Sequence, residues 1–334
     1  MAGHVIRRLV QFVPTLFGAM FLLHYMTSLS IQLTGNPVRA LFGDRTPTQA
    51  QLDAMTHAMH LDDSCLRHVG NPCLGLFFDR LGRMTQGDFG IDLRYRPVTQ
   101  IIGDAVPYTL TLALIAFLVE VVVGVGMGVL AGRRGGGAVD YGVKISTVLL
   151  ISIPVFVLGY ITQLVFGVLI GRPLRDAAWT PDWLGAVFSP SFKPEQPFAS
   201  MLMPGIVLGV VGLAATARLT RTNLMENLRA DYVRTARAKG LTPNRVVWVH
   251  AVRNSLIPVV TNLGLTLGVL LGGAVIVESI FNVPGVGREI QRALFRGEPS
   301  VVLGTVTILV LVYLVLNLIV DLLYGLIDPR ISHD

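Results

Sequence analysis

Lysine is scarce in this sequence. Only Lys144, Lys193 and Lys239 occur among 334 residues, and none of them follows a glycine. The Gly-Lys pair of a phosphate-binding P-loop is therefore missing, and any ATP-driven work needs another polypeptide to bind and hydrolyse the nucleotide. Charge is scarce as well. Asp, Glu, Lys and Arg make up 14% of the chain against 52% hydrophobic residues, with a mean hydropathy of +0.62. Ordinary soluble domains carry about 25% charged residues, so this balance excludes one. Cysteine occurs twice, at Cys65 and Cys73, with His57, His60 and His68 nearby but in no regular zinc-ligand spacing. The acids and histidines form no hydrolase, protease or phosphatase constellation. Short alternating segments of the kind that build a membrane β-barrel are absent too.

What is present is a set of long apolar runs. A transmembrane helix needs about 20 mainly apolar residues. Six stretches approach or exceed that length: Val10 to Leu33, Ala105 to Gly132, Ile145 to Gly171, Met201 to Ala217, Leu256 to Val277 and Val301 to Ile327. The fourth is the shortest, and its start is expected a few residues earlier. The fold expected is an all-α integral membrane protein with about six spans. Arg7 and Arg8 ahead of the first run also fit a cleaved signal peptide. The charge-free stretch from Val10 to Val38 is much longer than a signal h-region and lacks a clear small-x-small cleavage site, which favours a retained span.

Orientation follows from lysine and arginine in the connections. With the N-terminus inside, the cytoplasmic segments hold fourteen, including Arg133, Arg134, Lys144 and eight between spans four and five, whereas the two short outer connections hold six. The 34–104 loop adds seven arginines balanced by eight aspartates, and loops beyond about 60 residues count little. Both termini are therefore expected on the cytoplasmic side. The net charge of +6 and pI near 9.6 reflect this bias, and nucleic-acid binding is an unnecessary explanation.

The chain reads as one membrane domain, 1–334, with an extracytoplasmic insertion at 34–104 and a cytoplasmic loop at 218–255. In the insertion, Thr46-Pro-Thr-Gln49 opens like a helix N-terminus, while Gly70-Asn-Pro and Gly87-Asp signal turns. Cys65 and Cys73 fall in it, and an extracytoplasmic pair this close reads first as a disulfide, with a His57/His60/Cys metal site as the weaker alternative. Gly135-Gly136-Gly137 reads as a flexible cytoplasmic turn.

Small residues recur four apart: Gly124, Gly128 and Gly132 in the second span, Gly205 and Gly209 in the fourth, and Gly264, Gly268 and Gly272 in the fifth. Such rows allow close backbone approach, either as static bundle packing or as a face that shifts between transport states. Pro14, Pro154, Pro204 and Pro258 are positions where a helix can kink or start. Among intramembrane acids, Glu278 and Asp321 fall near span ends, while Glu120, about 20 Å along the helix from Arg133, is deep. A deep carboxylate serves either a proton pathway or helix packing through hydrogen bonds; with no deep basic partner, packing is favoured. Glu120, Asn262, Glu278 and Phe281 are the candidate pathway or gate residues.

The most informative stretch is Asp231-Tyr-Val-Arg-Thr-Ala-Arg-Ala-Lys-Gly-Leu-Thr242, helix-forming, basic and flanked by Arg218, Arg221, Arg229, Arg245 and Arg253. It is too charged for the hydrocarbon core. It resembles the EAA loop of bacterial ABC importer permeases. Ile6-Arg-Arg-Leu-Val-Gln-Phe-Val-Pro14, Gly87-Asp-Phe-Gly90, Arg96-Pro-Val98, Gly272-Gly-Ala-Val-Ile-Val-Glu278, Phe281-Asn-Val-Pro-Gly-Val-Gly287 and Asn317 through Asp328-Pro-Arg330 extend the resemblance over nearly the full length. Together they are similar to the B-type subunit of the oligopeptide/dipeptide/nickel permease family. Departures are Gly35-Asn36-Pro37 for the family's Gly-Asp-Pro, Glu298 where Asp is usual, an inserted cysteine-bearing stretch, and Arg253 where proline is frequent.

The resemblance implies an importer half-channel in the bacterial inner membrane, binding no cofactor itself. Its implied partners are membrane lipid, a second homologous permease, two ABC ATPase subunits that use ATP and Mg, and an extracytoplasmic substrate-binding protein. It further implies that Asp231, Tyr232, Arg234, Ala236, Arg237, Lys239, Gly240 and Leu241 form the ATPase-coupling segment. Tyr232, Ala236 and Gly240 share a stripe at four-residue spacing, with Ala236 and Gly240 expected to permit close docking and the cations to meet acidic partner groups. Two other classes stay open at this point: a proton-coupled secondary transporter using Glu120, and a receptor or assembly subunit that moves no solute. Short peptides are the expected cargo; nickel, haem and glutathione systems use similar permeases.

Overall fold

The computed structural model of the chain describes residues 2–35, 37–41, 46–92 and 94–327. The side chains of Arg7, Arg8 and Asp321, and the residues Asn36 and Asp328-Pro329-Arg330, lie outside the described residues. The described chain is helical apart from turns and one isolated antiparallel bridge, Ile91 to Pro97. The helices used below are α1 (Ala2–Thr34), α2 (Gln49–Ala58), α3 (Leu74–Thr85), α4 (Val98–Val119), α5 (Val125–Arg133), α6 (Ala138–Ser152), α7 (Val155–Thr162) and α8 (Gly171–Asp176). They continue as α9 (Asp182–Val187), α10 (Pro197–Asn227), α11 (Asp231–Ala238), α12 (Arg253–Phe281), α13 (Val286–Arg296) and α14 (Pro299–Ile327). Turns of π-helix, Glu120–Gly124 and Gln163–Ile170, join α4 to α5 and α7 to α8, and a third, Val246–Val252, leads into α12.

Six helical stretches are long and apolar enough to cross a membrane: Val10–Thr34, Val98–Arg133, Val155–Asp176, Pro197–Asn227, Pro243–Phe281 and Pro299–Val320. The count agrees with the apolar runs. One boundary does not: the third span begins at Val155 rather than Ile145. Ile153 is extended because it precedes Pro154, whose ring disfavours the helical conformation in the residue before it, so Ile145–Ser152 belongs to the separate helix α6. The fourth and fifth stretches are much longer than their apolar cores, since helix continues into the polar segments that flank them.

Two compact units divide the chain, Met1–Tyr108 with Pro284–Val315, and Thr109–Val283 with Leu316–Asp334. In the first unit the 46–97 insertion is anchored to the end of α1. Thr48 caps α2 through a reciprocal box with Gln51. Cys65 and Cys73 are joined in a disulfide. The Gln32 amide donates to Asn71 O at 2.8 Å and accepts from the Gly70 N–H at 2.9 Å. Beneath these bonds Ile31 packs with Met55, Leu66, Cys73 and Leu76.

The second unit is built on α10. Gly124, Gly128 and Gly132 lie against it so closely that a Cβ at Gly128 would stand 2.5 Å from Thr220 Cβ and 2.6 Å from Ala217 O. In return Gly205 and Gly209 of α10 receive Ile115, Ala116 and Val119 of α4. The row in the fifth span behaves differently. Gly264 meets Val320, but Gly272 has open space around it, and its neighbour Gly273 makes the closer approach, to Leu208. Four-residue spacing is thus a helix-contact row in two spans and only partly so in the third.

Candidate coupling surface and buried polar clusters

The α11 helix starts at Asp231, where a carboxylate suits the positive end of the helix dipole, and its side chain lies 3.3 Å from Arg234. It ends in a two-bond cap. The Gly240 N–H donates to Arg237 O at 2.9 Å and the Leu241 N–H to Ala236 O at 3.3 Å, with Gly240 at φ +77°. Only glycine takes that left-handed conformation without a steric penalty.

The inner stripe of α11 is Val233 and Ala236. Both are buried among Val129, Leu224, Val246, Ala251 and Val252, and Leu241 packs against the same cluster. This corrects the expected docking stripe: Ala236 faces the protein's own core and is not available to a partner. Tyr232 lies at the edge and donates to Asn227 Oδ1. The outer ridge consists of Asp231, Arg234, Arg237 and Lys239, all exposed, with Gly240 open beside them. Arg133 braces the return of the loop, donating to Asn244 Oδ1 at 3.0 Å with its guanidinium 5.8 Å from the Trp248 ring.

An ion-pair cluster that the sequence reading missed holds the adjacent turn. Asp140, in the first turn of α6, is fully buried. It accepts from Nε and Nη2 of Arg221, the latter at 2.8 Å, from the Gly136 N–H at 2.9 Å, and lies 3.2 Å from Lys144 Nζ. The Arg221 hydrogen bonds hold the Asp140 carboxyl well below the usual carboxylate range, opposed by burial and aided by Gly136 and Lys144. The Gly135–Gly137 turn is therefore clamped, correcting the expected flexible link. Its signal was an acid one turn beyond the glycines. Its partner lies 81 residues away, and sequence alone carries no distance between them.

Of the candidate pathway residues, Glu120 and Asn262 are brought together through a third, Thr216. Thr216 Oγ1 donates to Glu120 Oε1 at 2.7 Å, and Asn262 Nδ2 approaches Thr216 Oγ1 at 3.5 Å. Glu120 is fully buried in the first π turn, over Gly212, where a Cβ would collide with the carboxylate. Its Oε2 has no hydrogen-bond partner among the described residues; nearby Thr266 donates instead to Leu263 O at 2.9 Å.

Glu278 and Phe281 form a separate group, about 24 Å and more along α12 from Asn262. Glu278, also fully buried, accepts from Thr109 Oγ1 at 2.7 Å. Phe281 is buried, and its carbonyl accepts from the Phe192 N–H at 2.8 Å, while Gln163 donates to Ile280 O and Pro190 O. Here Phe281 acts as an anchor between the end of α12 and the preceding connection. No cluster of three or more His, Cys, Asp or Glu suited to a metal occurs among the described residues.

Comparison with known proteins agrees with this architecture. Residues 124–333 match the family described as "Binding-protein-dependent transport system inner membrane component". The chain is 35% identical to the Di/tripeptide transport system permease protein DppB of Pseudomonas aeruginosa (strain UCBPP-PA14), over 100% of this chain and 99% of that one. It is 32% identical to the Oligopeptide transport system permease protein AppB of Bacillus subtilis (strain 168), over the whole of both chains. It is 33% identical to the Dipeptide transport system permease protein DppB of Escherichia coli (strain K12), over 100% of this chain and 99% of that one.

Proposed function

Since this chain belongs to the family of binding-protein-dependent transport inner-membrane components, we propose that it is one half of the channel of an ATP-driven importer of short peptides. It pairs with a second, similar permease. Two ATPase subunits that use ATP and Mg sit on the face of α11, and a substrate-binding protein delivers cargo to the opposite face. The chain itself binds no nucleotide and hydrolyses nothing. Both termini and the 218–255 loop are cytoplasmic in this arrangement.

The observation that carries the reading is the split character of α11. Its inner stripe of Val233 and Ala236 is fixed to the membrane helices, while Asp231, Arg234, Arg237 and Lys239 face away and are open to a partner. A short helix seated this way transmits a push from a docked subunit into α10 and the start of α12, because the buried cluster leaves it no independent travel. Acidic groups on the partner would meet the three cations through charge-assisted hydrogen bonds. Peptide cargo is supported by the names of the three relatives, and neither a proton route through Glu120 nor a non-transporting role gains support from the fold or the comparisons.

The test is reconstitution of the complete importer. Reversing the ridge with Arg234→Glu, Arg237→Glu and Lys239→Glu should leave the membrane helices assembled while abolishing ATP hydrolysis stimulated by binding protein and dipeptide. Gly240→Trp should do the same by obstructing docking and straining the cap. Wild-type stimulated hydrolysis in both variants would overturn the coupling assignment. Failure of the wild-type complex to import any di- or tripeptide would overturn the cargo.

A further inference from the structure

A cavity of about 380 Å³ opens beside α9, between it and the 193–196 turn, lined among others by Arg175, Thr180, Asp182, Lys193 and Glu195. That volume falls in the range of about 300–1,000 Å³ typical of small-molecule sites. We propose that it binds the headgroup of a zwitterionic phospholipid, one that carries a phosphate and a primary ammonium.

Two observations support this occupant. The first is charge. Lys193 supplies a cation while Asp182 and Glu195 supply carboxylates, and none of the three enters an ion pair among the described residues. A cavity holding both signs without internal neutralisation matches a ligand holding both signs.

The second observation is depth. The cavity lies where two spans end: the third stops at Asp176 and the fourth starts at Pro197. Trp179, Trp183 and Phe198, neighbours of the lining in sequence, are exposed. Tryptophan concentrates at the membrane–water boundary, where its amphipathic ring sits level with the headgroups. A soluble ligand would gain nothing from that aromatic fringe, whereas a lipid meets it with its acyl chains.

The walls are fixed in advance. Arg175 donates to Gly167 O at 3.0 Å and to Phe188 O, so it serves chiefly as a strut. The Lys193 N–H donates to Ser200 Oγ at 3.1 Å, and the Gln196 N–H to Lys193 O at 3.1 Å. Lys193 thus rises from a backbone turn already held in place, with its ammonium left for the phosphate, while Asp182 and Glu195 accept from the lipid ammonium.

Native mass spectrometry of the purified importer complex, with phosphatidylethanolamine, phosphatidylcholine and phosphatidylglycerol added in equal amounts, tests this directly. The wild type should retain phosphatidylethanolamine best, phosphatidylcholine less because its ammonium has no N–H to donate, and phosphatidylglycerol least. Lys193→Ala should lower retention of all three by on the order of tenfold, because every one carries the phosphate. Asp182→Asn with Glu195→Gln should remove the preference for phosphatidylethanolamine over phosphatidylglycerol. Should a variant fail to fold, the wild-type ranking still decides. Equal retention of phosphatidylethanolamine and phosphatidylglycerol, or no change in folded Lys193→Ala, would overturn the proposal. So would a photo-crosslinker at Gln196 that captures the second permease or a labelled dipeptide in place of phospholipid.

Discussion

Two carboxylates, Asp140 and Glu120, are fully buried, and both are held by side chains of α10, yet their surroundings differ sharply. Asp140 has a guanidinium, an ammonium and a backbone N–H around it. Glu120 has one threonine hydroxyl and an oxygen with no partner among the described residues. The residues of α10 that serve them, Arg221 and Thr216, are only five apart. The contrast shows two ways of fixing the same helix: by a charged clamp where the chain leaves the apolar region, and by close glycine packing with a minimal polar contact inside it.

Breaking the clamp should produce the largest effect. Asp140→Ala strips Arg221 of its partner and releases the Gly136 turn, and is expected to cost on the order of 3 kcal/mol. Thermal unfolding of the purified permease pair in detergent would show it, and a loss no greater than that of an exposed charge would refute the clamp. The effect also has a pH signature. Asp140 is held below its unfolded pKa of about 3.9, so its stabilisation is complete above that value and is lost as pH falls through the still lower folded one. The difference in unfolding temperature between wild type and Asp140→Asn should be constant from about pH 8 to 5 and shrink below about 4.

Next in size is the close packing near Glu120. Gly128→Ala places a methyl group against Thr220 and the Ala217 carbonyl, which has no rotamer to yield, and should cost about 1–3 kcal/mol. Near-wild-type unfolding would mean that the two helices do not approach as closely as described. Gly240→Ala should cost about 1 kcal/mol through its positive φ alone, since no atom lies within 4 Å of the added Cβ. Comparing it with Gly240→Trp in the ATPase assay separates cap strain from obstruction of a partner. The smallest effect is expected for Glu120→Gln. The amide keeps an acceptor for Thr216 and should change stability by less than about 1 kcal/mol. If its cost equals that of Asp140→Asn, the two carboxylates are not different after all.

Long elements were legible in the sequence, since six runs of apolar residues cannot hide, and so was the loop helix at 231–238. What escaped were features that depend on direction or distance. A hydropathy run from Ile145 to Gly171 averages over Pro154, because the residues on both sides are equally apolar. The facing of Ala236 escaped because α11 has barely two turns, and the Tyr232–Ala236–Gly240 stripe is as regular as the Val233–Ala236 stripe that is buried. The Asp140–Arg221 pair escaped because each residue alone looks like an ordinary loop charge. Gly272 escaped in the opposite sense: its spacing promised a contact that its position on α12 does not make.

The π turn at Glu120–Gly124 has a consequence for how this span tolerates length changes. Before the turn, α4 presents the bulky Ile115 and Val119 to hollows on α10; after it, α5 presents the hollows, Gly128 and Gly132, to bulky residues of α10. A π turn carries one residue more than the α-helical turn it replaces. Deleting a single residue between Glu120 and Gly124 would therefore restore a regular helix of normal hydrogen bonding while leaving everything beyond it facing nearly as before, because five residues of a π turn cover about the same rotation and rise as four of an α-helix. Gly128 would still meet Thr220. The same deletion within α5 would swing all that follows by about 100° and bring a side chain where none fits, so the π turn is where this span can lose a residue and keep its pairing with α10.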